Sequence, residues 1–234
     1  MGLPLMIVYA LHSPSRRWLY RILLGFVAFS IFLSISRSAI LCGAVGMLVM
    51  ALRWTWRMRF TALGLLAATF TLVYLTVPGL LGTITRLFTG ISDDNSVASR
   101  TGSYAVAGQF IERSPWLGRG FGTFAPKYWI LDNGYLTLLI EAGFLGLGAL
   151  LLLLGTAAWS ARAAVKRAPV ELDREVAHAL LAGICAGATA FAFFDMFAFP
   201  QTAGCFFLLV GLAGSMRRLT TTHRPAPVRE EVAR

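Results

Sequence analysis

Apolar residues run through this chain in long unbroken stretches, and polar residues fall in short clusters between them. The stretches at 60–80, 135–158, 176–196 and 200–216 each come near the roughly 20 residues a helix needs to cross a bilayer. The run at 22–52 is too long for one crossing and short for two. Its sole ionisable residue is Arg37, with fifteen neutral residues on either side. Arg16, Arg17 and Arg21 precede the run, and Arg53, Arg57 and Arg59 follow it. Basic residues at span ends favour the cytoplasmic side, so both ends lie inside. The pattern therefore predicts a hairpin of two short helices with Arg37 at its outer tip. Residues 1–11 (MGLPLMIVYAL) form a partial hydrophobic segment, too short to span and without the basic start and cleavage site of a signal peptide.

Carried along the chain, this pattern predicts an all-α polytopic membrane protein. It is a helical bundle of about six spans plus the partial N-terminal segment, with one large extracytoplasmic loop at about 81–134. Fifteen of the 21 basic residues then fall inside, five fall in the loop, and the last is Arg37. The bundle occupies 1–219. Residues 220–234 (TTTHRPAPVREEVAR) are polar and contain proline, as expected of a disordered cytoplasmic tail. All three histidines, His12, His178 and His223, fall on the cytoplasmic side.

Composition agrees with this organisation. The chain is 57% hydrophobic and 14% charged, where soluble domains are about a quarter charged; soluble enzyme classes are excluded. The net charge of +10 is distributed as orienting clusters with no basic-aromatic module, so no nucleic-acid partner is expected. Cys42, Cys185 and Cys205 all sit in apolar runs as small buried hydrophobes, with no metal or disulfide spacing.

Arg37 is costly to dehydrate. Fifteen residues at about 1.5 Å each reach only about 22 Å, against a hydrocarbon core of about 30 Å. The hairpin tip would therefore sit below the outer membrane surface, where an arginine can meet an anion at headgroup depth. The plainer alternative is a guanidinium that snorkels outward or pairs with a structural carboxylate.

The outer loop is long enough to need its own structure. Its TGISDDNSVASR opening suits a helix cap, and a short helix is expected from about Ser99 to Glu112, with Tyr104, Ala107, Phe110 and Ile111 on one face. Ser114-Pro115 ends it. In the following WLGRGFGTF, three glycines permit a tight backbone close to whatever binds. GRGFG is not a dinucleotide fingerprint, because neither a preceding strand nor a βαβ unit surrounds it. Asp93 and Asp94 lack the spacing of a calcium loop, and no metal site is expected. Arg100 and Arg119 are the better candidates, since guanidinium forks suit phosphate oxygens.

In DNGYLTLLIEAGFLGLG, Asp132 stands at the outer mouth of the 135–158 helix. Glu141 lies two to three turns deeper, in hydrocarbon. An intramembrane carboxylate is a functional candidate with an expected partner, and Arg37 is the natural one. A structural ion pair is the equal alternative. Ala142 and Gly146, four apart, would let another helix pack closely. Asp195 near the outer end of its helix invites the same two readings.

SRS at 36–38, Arg100, SPWLGRGFGTF at 114–124 and DNGYLTLLIEAGFLGLG at 132–148 occur in an order and spacing that resemble the O-antigen ligase and polymerase family of bacterial envelope proteins, over roughly 20–215. The resemblance implies a multi-pass protein of the bacterial cytoplasmic (inner) membrane. Such an enzyme transfers a glycan from a polyprenyl-diphosphate donor, usually undecaprenyl diphosphate, to a glycan or lipid hydroxyl acceptor. It uses no cofactor. It implies that Arg37 and Arg100 hold the donor diphosphate; Arg119 is added as a weaker third on the chemistry of its guanidinium. A histidine commonly precedes the Asn-x-Tyr-Leu segment in the family as the base that deprotonates the acceptor; here that position is Asp132. Family members usually have some ten or more helices, so a truncated or split chain is also expected. The rival functions are a transporter or flippase of anionic lipids or solutes, and a non-catalytic truncated membrane partner.

Overall fold

The computed structural model describes residues 1–13, 17–34, 36–76, 95–124 and 129–222. Asp93, Asp94 and the tail beyond Thr222 lie outside the described residues. All regular structure among the described residues is helical: α1 (Leu3–His12), α2 (Arg17–Leu33), α3 (Arg37–Ala51), α4 (Trp56–Thr76), α5 (Asn95–Ile111), α6 (Gly134–Arg167), α7 (Glu171–Phe191) and α8 (Pro200–Thr222). A 3-10 turn, Met196–Ala198, leads into α8.

The 22–52 run is divided where its arginine sits. Ser36 caps α3, its Oγ accepting from the Ala39 amide at 3.3 Å, and Arg37 is the first helical residue. A methyl on Gly43 would stand 4.0 Å from Ile31, so the chain doubles back about Arg37.

Helix α7 is the centre of the fold, with α1 and α3 on one side and α6 and α8 on the other. Its sequence explains why. Ala177, Ala179, Ala182, Gly183, Ala186, Gly187 and Ala190 are all buried, and small residues let neighbouring backbones approach closely. A methyl on Gly187 would stand 2.5 Å from the Phe206 ring, so α8 packs directly against the α7 backbone. Phe191, Phe206, Ile184, Leu180 and Met196 fill the space left between these helices.

The two ends of the bundle differ in chemistry. At one, His12 meets Glu175 at 3.3 Å and Arg53 meets Glu171 at 3.6 Å. There His178 donates from Nε2 to the Val49 carbonyl at 2.8 Å. Arg37 begins α3 at the opposite end. The histidine resolved in the core therefore ties α7 to α3, away from the arginine.

Among the described residues, α6 is long and apolar enough to cross a membrane. Helix α4 exposes Leu63, Leu65, Leu66, Phe70 and Leu75, an apolar surface all round that requires either burial or lipid.

Candidate functional site

The expected uninterrupted span at 135–158 is broken. Helix α6 starts under an Asn133 cap, whose Oδ1 accepts from the Tyr135 and Leu136 amides at 3.0 and 3.1 Å. At Gly143 the backbone turns to φ 66°, ψ −165°. In a continuous helix the Phe144 amide would bond the Ile140 carbonyl, and the Leu145 amide that of Glu141. Both bonds are lost, and four backbone groups are freed.

The loop at 115–120 takes all four. Arg119 donates its amide to the Ile140 carbonyl at 3.0 Å, and Gly120 donates to that of Glu141 at 2.8 Å. In return the Phe144 amide donates to Pro115 at 2.8 Å and the Leu145 amide to Trp116 at 3.3 Å. An unpaired buried backbone group costs about 1–3 kcal/mol, and more in lipid, so the broken helix and the loop depend on each other. The glycines of WLGRGFG thus serve a different neighbour from the ligand expected. Gly118 has φ +66°, and a methyl there would overlap the Glu141 carbonyl. What approaches so closely is α6 itself.

Glu141 is 6% exposed. Its Oε1 accepts from the Phe124 amide at 3.0 Å, which pins the far end of the same loop. No ion pair joins it to Arg37 among the described residues, in contrast to the expected pairing. The piece of α6 after the break, about 24 residues at about 1.5 Å each, reaches about 36 Å, and Glu141 stands on the other side of the break from it. Ala142 and Gly146 face each other across the bend, since a methyl on Gly146 would overlap that of Ala142. They accommodate the break, and Ala142 also packs against the core cluster that holds Phe191 and Phe206.

Helix α5 begins four residues earlier than expected. Its buried face is Ser103 and Ala107, with Phe110 packed edge-on to Phe124 at 5.2 Å. Tyr104 points outward, 58% exposed. Trp129 donates its indole N–H to Ser103 at 2.9 Å and closes the loop back onto α5. The exposed Arg119 guanidinium lies 4.8 Å over the Phe110 ring. Arg100 belongs to α5 by its backbone, and its side chain lies outside the described part of the structure.

The serines on either side of Arg37 border a cavity that also reaches the Phe194 segment, while neither Arg37 nor Asp132 itself lines it. Ser36 and Ser38, whose hydroxyls are 2.9 Å apart, line a cavity of about 450 Å³ with Ile31, Cys42, Phe194 and Phe199 among its walls. The Phe194 carbonyl in turn accepts from the Gly134 amide at 3.2 Å, two residues from Asp132. Arg37 and Asp132 are each partly exposed. Arg119 and Glu141 share the loop–break junction further along α6.

The 176–196 run, expected to be helical as far as Asp195, stops short of it. Helix α7 ends at Phe191, and Asp195 caps the 3-10 turn by accepting from the Phe197 amide at 3.1 Å. Burial pushes its carboxyl above the ordinary value, and the nearby Glu141 charge adds to this. The signal available in the sequence was FFDMFAFP, an acid in an aromatic run just before a proline.

The chain matches no curated protein with which it was compared. A sequence model described as O-antigen ligase matches residues 22–151, a segment that holds Arg37, Arg100, Arg119, Asp132 and Glu141. It covers more than half of the 234 residues, and the chain therefore belongs to the O-antigen ligase family.

Proposed function

We propose that this chain is an envelope glycan ligase or polymerase. It moves a glycan from a polyprenyl-diphosphate donor to a hydroxyl acceptor at the outer face of the bacterial cytoplasmic membrane, which it crosses about six times. The observation that carries this reading is the family match, whose boundaries enclose Arg37, Arg100, Arg119, Asp132 and Glu141. The bundle holds the site; residues 220–222, expected in the tail, instead complete α8, and the residues beyond form a cytoplasmic tail.

In the proposed reaction the acceptor hydroxyl gives its proton to the Asp132 carboxylate. Its oxygen forms a bond to the anomeric carbon of the donor sugar. The bond from that carbon to the phosphate oxygen breaks, and the diphosphate leaves with the electron pair. Negative charge grows on the departing oxygen. Arg37 and Arg100, with Arg119 as a third cation, stabilise it, and they do so most strongly where water is excluded. The Ser36 cap adds the positive end of α3 beside Arg37.

The break in α6 favours a second reading, because transporters often bind cargo at broken helices. Here, however, the freed backbone groups are already occupied by residues 115–120, which leaves none for a solute. The purified protein incubated with a lipid-diphosphate glycan separates the readings. A new glycosidic linkage supports the transferase, translocation across vesicles without a linkage supports the transporter, and neither supports a non-catalytic partner.

A further inference from the structure

At the opposite end of α6 from its break, α6 and α8 run together beside a polar cleft of about 520 Å³. Its lining is Ser160 from α6 with Gly211, Gly214, Ser215, Arg217, Arg218 and Thr221 from α8. The wall contains two cations and no acid. Gly211 and Gly214 leave the floor open, since a methyl on either would have nothing within 4 Å. The Arg217 guanidinium is held 3.7 Å over the Trp159 ring, so it is oriented before anything binds.

Ser160 supplies an independent indication. It is 8% exposed, yet no hydrogen bond is made by its hydroxyl among the described residues, whereas Thr156, Ser215 and Thr221 each donate to a backbone carbonyl in their own helix. A hydroxyl that makes no bond among the described residues and is still open to a doubly cationic cleft, on a side chain otherwise packed away, is placed to donate to an anion.

We propose that this cleft binds the phosphate headgroup of an anionic phospholipid in the cytoplasmic leaflet. A lipid is favoured over a free ion by what leads into the cleft. Leu152 lies on the α6 face that carries Trp159 and Ser160, and Leu208 and Leu212 lie on the α8 face that carries Ser215. All three leucines are exposed and provide an apolar path for acyl chains beside the charged end. The exposed Trp159 suits the interface between the two. This inference uses only the membrane setting of the proposed function and none of its chemistry.

The test is native mass spectrometry of the full chain purified in detergent, titrated with phosphatidylglycerol or with phosphatidylcholine. Saturable retention of phosphatidylglycerol over phosphatidylcholine is expected, with Ser160→Ala and Arg217→Gln each weakening it about tenfold, the equivalent of one charge-assisted hydrogen bond. Arg218→Gln, at an exposed position, gives a second cation variant should Arg217→Gln fold poorly. Equal retention of the two lipids, or full retention by Ser160→Ala together with Arg218→Gln, would overturn the proposal. Displacement of the lipid by millimolar inorganic phosphate would show a free-ion site and overturn it too. Each outcome is read without any glycan transfer.

Discussion

Gly118 and Gly143 meet backbone to backbone: a methyl on Gly143 would stand 2.7 Å from the Gly118 nitrogen. Each has φ +66°, a conformation that glycine adopts freely and other residues adopt at a cost of roughly 1–2 kcal/mol. The contact lets a loop from outside the bundle reach the interrupted backbone of α6.

Gly143→Ala should therefore undo the junction, since the added methyl also overlaps the Trp116 carbonyl. Protease sensitivity at 115–124 should rise and the detergent-solubilised protein should unfold at lower temperature. Gly155→Ala in the same helix, where a methyl meets nothing within 4 Å, should stay within about 1 kcal/mol of the parent. Equal behaviour of the two variants would refute the clamp.

Glu141 acts here as a hydrogen-bond acceptor for the Phe124 amide. Glu141→Gln keeps an oxygen in that place and should hold the loop, while Glu141→Ala leaves a buried amide unpaired at about 1–3 kcal/mol. Thermal stability and proteolysis of the two variants decide the matter. If the carboxylate served mainly as a counter-charge, the glutamine variant would fail as well.

Arg100→Ala and Arg37→Ala should each lower glycan polymer by about a hundredfold or more, the usual effect of removing a group that stabilises a developing anion. Membrane insertion should be unchanged. Polymer at parental levels, measured in cells depleted of the parent protein, would remove that arginine from the site.

Asp195 carries a pH prediction. Its carboxyl is raised in the folded protein, so the folded state holds the proton more tightly than the unfolded state does. Stability is therefore lost as pH rises from the ordinary carboxylate value through the raised one. Asp195→Asn, which can still cap the 3-10 turn, should raise the unfolding temperature at neutral pH. That gain should vanish below the ordinary carboxylate range. A gain that is the same at every pH would exclude burial of the charge as its cause.

The order of the apolar runs by itself marked where most of the helices lie, because a long apolar stretch must satisfy its own backbone groups. It also determined that 22–52 is divided at Arg37, since flanking arginines at both ends leave the middle as the turn. Tertiary structure decided what the buried groups do. A glycine in an apolar run does not say whether its helix continues, and only the arrival of residues 115–120 makes a break at Gly143 affordable. The partner of Glu141 was likewise out of reach: charge points to an arginine, but the nearest donor is the amide of Phe124, seventeen residues back. Backbone amides look alike in every sequence, so a site built from them becomes visible only when the chain has folded.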